Sequence, residues 1–347
     1  MTEPIAAGGG RDADDAESPA RVTIYEVARR AGVSIATVSH ALNRPERVSS
    51  STRERVLEAV DALGFTPKQT AVSLARSGVG RIAVVAPFSA YPSYFERLLG
   101  ILRACKSRRI EVVVFDDVSK DGPSVLLETL PTTGRVDGLI IMGIEPDPAV
   151  TKRLQRRHVP AVLLDRASTA FTSVTVDDEA GGRMLAQHMI GRGARSFAFV
   201  SPPPPDIEHV TSGELRVRGF QAAIRDAGLP EVTWLIAEDS VEGGREAVSD
   251  VLALPTRPDA VFAVHDRLAA GLLGGLTDAG VRVPEDMLLA GYDDSDVAGA
   301  MGVTTVRQPF ESSGWAAARA LLQTLAEPGA AVQRISLRPE LVVRRTA

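Results

Sequence analysis

At 347 residues, 44% of them hydrophobic and 24% charged, the chain is too long for one compact domain and can bury a substantial core. No run of about 18 apolar residues occurs, which excludes a helical membrane span, and the acidic, Gly/Ala-rich start lacks the basic and apolar regions of a secretory signal. The single cysteine, Cys105, excludes an internal disulfide and a cysteine-based zinc site, so the expectation is a cytoplasmic protein with no metal, no cofactor and no membrane partner.

The net charge of -5 is unevenly distributed. Residues 1–20 carry one Arg against five acids, and residues 21–80 carry nine Lys and Arg against five acids. Positive charge is thus concentrated in one small module, as contact with phosphate requires. A solvated basic face would give the same count.

In chain order, residues 1–20 read as a disordered acidic tail. From Thr23 to Gly64 the pattern is helical. Thr23 and Ser51 are placed to cap helices, with Glu26 and Glu54 three residues on. Gly32 supplies a turn between the first two helices, and Gly64 ends a third that runs through Val56, Val60 and Leu63. The segment 67–80, with Pro67 at its start and Gly78 and Gly80 at its end, reads as a linker able to hold one or two helical turns.

From residue 81 the texture becomes alternating βα units. Buried parallel strands are predicted at Ile82–Ala86, Val112–Phe115, Gly138–Met142, Ala161–Leu164, Phe197–Ser201, Ala260–Val264 and Leu288–Gly291. Helices are predicted at Tyr94–Lys106, Gly181–Gly191, Leu215–Ala227, Gly243–Leu254 and Leu268–Ala279, with Cys105 as a small core residue in the first. The α/β order implies two doubly wound parallel sheets with a cleft at the carboxyl ends of the strands.

Val27 through Asn43 has the anatomy of a helix-turn-helix. Ala28 is small where two helices cross, Gly32 turns the chain, and Val33 and Val38 dock the second helix. That helix opens with Ser34, Ile35, Ala36, Thr37 and His40, side chains short enough to let it sit in a major groove. The hydroxyls of Ser34, Thr37, Ser39 and Tyr25 can bond phosphates, with Thr23 beside them at the start of the first helix.

These residues resemble the LacI/GalR family of repressors, without a gap from Thr23 to Leu74 and more loosely to Pro339-Glu-Leu-Val-Val-Arg344. The resemblance implies a three-helix reading domain over 21–66, a hinge over 67–80 and a two-subdomain periplasmic-binding-protein-like sensor over 81–347. It implies base-edge contacts from Ile35, Ala36 and His40, and a further DNA contact from Asn43. It also implies a hinge helix in which Ala71 and Leu74 reach the minor groove. Val72 and Val79 depart from the family pattern there. Apolar Ile35 and Ala36 can meet thymine methyls but cannot form paired hydrogen bonds.

For the sensor, Asp266 after a strand end can accept hydrogen bonds from a ligand. The resemblance assigns the Arg216 fork to a ligand oxygen and places Tyr94, Phe95, Asp239 and His265 in or beside the pocket, and Asp165 is a further candidate by its position after the strand Ala161–Leu164. It implies a homodimer on a pseudo-palindromic duplex, with operator affinity controlled by a small molecule, a sugar or related metabolite. Two other classes compete with this one. A periplasmic sugar-binding protein shares the cleft but not the helix-turn-helix. An enzyme lacks support, because no phosphate loop, nucleophile elbow, metal-spaced histidine cluster or dinucleotide turn is present.

Overall fold

The computed structural model describes residues 22–65, 80–118, 124–203 and 210–347. The acidic tail, the hinge positions Pro67, Ala71, Val72, Leu74 and Val79, and Pro204 and Pro205 lie outside the described residues. The described residues divide into two compact units, one made of 22–65 with 124–136 and the other of 80–118 with 137–203 and 210–347.

The first unit contains α1 (Ile24–Ala31), α2 (Ile35–Asn43) and α3 (Ser50–Leu63). The Glu26 carboxylate accepts from the Thr23 backbone N–H at 2.7 Å and from its hydroxyl at 2.9 Å, so the first helix starts where the capping pattern places it. Gly32 ends α1 at φ 65° and Gly64 ends α3 at φ 62°, a left-handed conformation that costs glycine little. The cap of α3 is Ser49 rather than Ser51. The chain is still extended at Ser49, whose Oγ accepts from the Thr52 N–H, and Ser51 lies inside the first turn. Val27, Val38, Leu42, Val56 and Val60 form the core of the three helices. The unit also holds α5 (Val125–Thr133), which lies against α2 and α3. Pro131 sits inside α5, and sequence rules read proline as a helix end. For that reason α5 was not predicted.

The second unit has two lobes. The first is a six-stranded parallel sheet in the order β11 (Arg334–Leu337), β5 (Thr172–Val176), β4 (Ala161–Leu164), β3 (Gly138–Met142), β1 (Gly80–Ala86), β2 (Ile110–Asp116). Its core is shared with α4 (Ser93–Cys105) and α13 (Phe310–Ala326), and buried Cys105 is part of it. The second lobe is a parallel sheet in the order β7 (Thr233–Ile236), β6 (Phe197–Ser201), β8 (Ala260–Ala263), β9 (Leu288–Ala290). Around it lie α7 (Asp178–Gly191), α8 (Ser212–Asp226), α9 (Val241–Glu246), α10 (Val248–Ala253), α11 (Asp266–Asp278) and α12 (Asp296–Met301). The single helix predicted over Gly243–Leu254 is therefore two, broken at Ala247.

The chain passes between the lobes three times: at Asp177 after β5, at Gln308-Pro309 before α13, and at Arg338-Pro339 between β11 and β12 (Glu340–Val342). β12 pairs antiparallel with β10 (Thr305–Arg307) beside the second crossing. Glycines fix how closely the helices approach. A Cβ on Gly182 would stand 1.9 Å from the Arg216 carbonyl oxygen, and one on Gly219 would stand 1.9 Å from that of Glu179. Only hydrogen at both positions lets α7 and α8 cross backbone to backbone.

Candidate DNA-reading surface and effector cleft

On the first unit, α2 buries Val38, Ala41 and Leu42 and leaves the opposite face open. Ile35 is 40% exposed and Tyr25 69%, and Ala36 and His40 are exposed as well. Val38 fills the core, and Ile35 stands as an apolar side chain in solvent. The Ser34 Oγ caps α2 by accepting from the Thr37 N–H at 3.1 Å, and the two hydroxyls lie 2.8 Å apart. Asn43 donates from Nδ2 to the Ser39 carbonyl at 2.8 Å. The residues chosen from sequence lie at the start of α1 and along the exposed side of α2.

On the second unit, loops at the carboxyl ends of the strands of both lobes carry strained acids. Asp165 follows β4 at φ 65°, and Asp293 and Asp294 follow β9 at φ 113° and 61°. Non-glycine residues in this region are uncommon, and strain of this kind gathers at functional sites. A cation holds each carboxylate. Arg97 of α4 ion-pairs with Asp165 at 2.7 Å, with its guanidinium over the Phe310 ring at 4.3 Å. Arg216 reaches Asp293 at 3.4 Å, and Gln308 donates to the same oxygen at 2.7 Å. Arg307 and Arg344 reach Asp294 at 2.7 and 2.6 Å.

The lobes meet through Arg166, which donates from one nitrogen to the Gly143 carbonyl after β3 and from another to the Val210 carbonyl before α8, both at 3.2 Å. Tyr94 lies over Gly143, where a Cβ would collide with its hydroxyl, and burial raises its phenol pKa, with Asp165 adding to the rise. Glu96 of α4 has its carboxyl raised by burial first and by Asp293 next.

The predicted effector residues do not all behave alike. Arg216 is buried, and protein groups occupy its fork: Asp178 Oδ1 at 3.0 Å, the Val264 carbonyl at 2.8 Å, and Asp293. Its guanidinium lies 4.0 Å from the centre of the Tyr292 ring. Burial alone would lower its pKa, but Asp178 and Asp293 raise it above the ordinary arginine value. The Asp266 carboxylate accepts from the Ser295 N–H at 2.7 Å, the Ser295 hydroxyl at 3.0 Å and the Thr305 hydroxyl at 2.6 Å. Burial and then Asp293 push it up to about 7. Asp239 accepts from Arg267 at 2.9 Å and lies 3.2 Å from His265 Nδ1. Burial acts to raise its carboxyl, but these neighbours outweigh it and hold the group at about 2. Phe95 packs on Phe88 and is 54% exposed.

Arg97, Arg166, Asp293, Asp294 and Ser295 were not singled out as site residues from sequence. Arg166 directly follows Asp165, and Asp293, Asp294 and Ser295 follow β9. Their position after β4 and β9 was the available signal.

A three-helix reading head and a two-lobed cleft define a ligand-responsive DNA-binding regulator. Residues 23–68 match the family described as bacterial regulatory proteins, lacI family, and residues 186–347 match the periplasmic binding protein-like domain. The chain is 32% identical over 333 residues to the ribose operon repressor of Escherichia coli K12, spanning 94% of this chain and 99% of that one. The crystal structure of a LacI family transcriptional regulator from Enterococcus faecium with bound ribose is similar at 25% identity and TM-score 0.67, over 77% of this chain and 98% of the other. The lac repressor dimer bound to operator and the anti-inducer ONPF is similar at 26% identity and TM-score 0.68, over 94% and 99%. The chain belongs to the lacI family of bacterial regulatory proteins. It is a DNA-binding transcription regulator with a small-molecule sensor, not an enzyme. Among the described residues no helix is long and apolar enough to cross a membrane.

Proposed function

We propose that the protein is a cytoplasmic, homodimeric repressor whose affinity for a pseudo-palindromic operator is set by a sugar or related metabolite bound between the lobes. Residues 21–66 read DNA, 67–80 form the hinge and 81–347 sense the effector, with 1–20 as an acidic tail. The observation that carries the effector half is the set of strained carboxylates, Asp165 opposite Asp293 and Asp294, at the strand ends of both lobes. Carboxylates held in place by cations accept from several hydroxyls at fixed positions, which suits a polyhydroxylated ligand. In this arrangement Arg216 and Asp266 position the loop that carries Asp293 and Ser295, while Tyr94, Asp165, Asp239 and His265 line the approach.

The DNA half rests on the exposed face of α2. Ile35, Ala36 and His40 read base edges. Tyr25, Ser34, Thr37 and Ser39 bond phosphates, Thr23 stands beside them, and Asn43 adds a further contact. Two copies place their α2 helices in successive major grooves about 34–36 Å apart, with Ala71 and Leu74 of the hinge between them. Dimerisation is supported by an apolar stripe on α4: Phe95, Leu99 and Leu102 are each exposed by more than two-fifths. They recur at near-helical spacing on one face.

Thermal-shift measurements with ribose, cellobiose and other sugars on the full chain identify an effector. Gel-shift titration of a duplex selected from a random pool then gives its effect on DNA affinity. The expected result is a sugar that raises the melting temperature and changes duplex affinity at least tenfold. A sugar that stabilises the chain and leaves duplex affinity unchanged would overturn the reading.

A further inference from the structure

α5 does not belong to the three-helix core, yet it shares a compact unit with the reading head. In sequence it is spliced between β2 and β3 of the sensor. Its Glu128 carboxylate accepts from Arg53 Nε of α3 at 2.8 Å, with the two side chains only 20% and 14% exposed. Just past its end, the Arg135 guanidinium donates to the Asn43 Oδ1 at the end of α2. Both ends of the Asn43 amide are then engaged, since Nδ2 already donates to the Ser39 carbonyl. Leu127, Leu130 and Pro131 of α5 are buried, so the helix also contributes apolar surface of its own.

We propose that α5 is an autoinhibitory strap that holds the reading head in its DNA-free state. It occupies Asn43 and neutralises the Arg53 cation, while Ile35, Ala36 and His40 stay open to sample DNA. The proposal rests on the assignment of α2 as the recognition helix. A DNA phosphate draws on the positive charge of the head, and the Glu128 carboxylate cancels one such charge at contact distance. Full engagement of a duplex by Asn43 also requires Arg135 to let go. DNA and α5 therefore compete for the head, and each weakens the other's hold by the same factor. Because α5 is continuous with β2 and β3, the strap joins head to sensor by a second covalent route besides residues 66–79.

The test uses the full chain and a duplex that the wild type selects from a random-sequence pool. In an Arg53→Cys/Glu128→Cys variant with Cys105→Ala, a short bis-methanethiosulfonate reagent, which spans thiols too far apart for a direct disulfide and is released by reduction, is expected to crosslink the two thiols within one chain. The crosslinked form is expected to bind the duplex at least about tenfold more weakly than the same protein after reduction. Glu128→Gln is expected to tighten binding about threefold, the scale of one partly exposed ion pair. Glu58→Gln, which removes the same charge from the exposed face of α3, is expected to do less. Absence of an intrachain crosslink with the spanning reagent, equal affinity of crosslinked and reduced forms, or equal effects of the two glutamine variants would each overturn the strap while leaving α2 as the reader. Failure of the wild type to select any duplex would overturn both.

Discussion

Arg216 Nε donates to Asp178 Oδ1 at 3.0 Å inside the second lobe, and Gly182 and Gly219 allow the two residues to meet. The glycines bring the backbones of α7 and α8 into contact. Asp178 in the first turn of α7 and Arg216 on α8 then face each other, both side chains buried. Burial raises the Asp178 carboxyl, while Arg216 lowers it in part. The pair fixes where Asp293 stands, because the remaining arm of the Arg216 fork reaches that residue.

Arg216→Ala leaves the Asp178 charge without its partner in a dry interior. Loss of one member of such a pair costs about 3–5 kcal/mol. Gly219→Ala drives a methyl group into the Glu179 carbonyl and forces α7 and α8 apart, costing about 3 kcal/mol or more. Urea unfolding of both variants should show these losses in the sensor. Duplex binding at low temperature should be kept, since the head has its own core. Loss of less than about 1 kcal/mol in Arg216→Ala would show that the pair is not buried in solution.

The same pair shows how far the sequence could be read. Gly32, Gly64 and the spacing of Val27, Val38 and Val56 are local signals, and the head formed where they placed it. All seven predicted strands exist because parallel strands covered on both faces read as apolar runs. β5 contains Thr172, Ser173 and Thr175, and β7 is largely exposed, so neither gives such a run. β10 and β12 are three residues each, too short for any periodicity. Arg216 and Asp266 were chosen from sequence as residues that meet a ligand, and the fold instead engages them with protein groups. Their partners were not legible, because Asp178, Ser295 and Thr305 lie 38, 29 and 39 positions away and only the fold brings them together.

Asp266 makes stability depend on pH. Its folded pKa of about 7 lies above the ordinary aspartate value of about 3.9, so the folded state holds the proton more tightly. Its contribution is fully present below pH of about 4, falls as pH rises toward 7, and is gone above that. The raised Glu96 and Asp178 carboxyls act with the same sign. Asp239, held at about 2, acts oppositely, and its contribution is lost only as pH falls below about 4 and through 2. Between pH 7.5 and 5.5 the urea midpoint of the wild type should therefore rise on acidification. A full shift of this size is on the order of 4 kcal/mol. Asp266→Asn, with no proton to take up, should show a clearly shallower rise. Equal slopes in the two proteins would remove Asp266 as the source.

Two residues three apart on α2 should separate folding from reading. Val38 is fully buried and Ile35 is 40% exposed. Val38→Ala is expected to destabilise the head by about 2 kcal/mol through the cavity it leaves. Ile35→Ala should leave the unfolding curve of the head within about 0.5 kcal/mol of wild type, yet relax discrimination at one base step of the selected duplex by about 1 kcal/mol. His40→Ala should act likewise at a neighbouring step. Gel-shift titration against duplexes changed at single positions measures both. A uniform loss across all sequences would assign these side chains to the phosphate backbone instead.

The stripe on α4 gives a prediction for assembly. Along this helix, Ile101 and Cys105 point into the lobe and Leu98 packs against its core, while Phe95, Leu99 and Leu102 point out. Trp315 of α13, 47% exposed, approaches α4 at Gly100 and adds a further exposed aromatic. An apolar surface of this kind on a chain with a net charge of only -5 favours self-association. Leu99→Glu places a carboxylate in the middle of the stripe without touching the core. In a two-fold contact each substitution is met twice, because the same patch serves both copies. Sedimentation of this variant should give the mass of one chain where the wild type gives two. Its affinity for a two-half-site duplex should fall steeply, while binding to a single half-site stays as weak as that of the wild type. A Leu99→Glu protein that still sediments as two chains would move the interface away from α4.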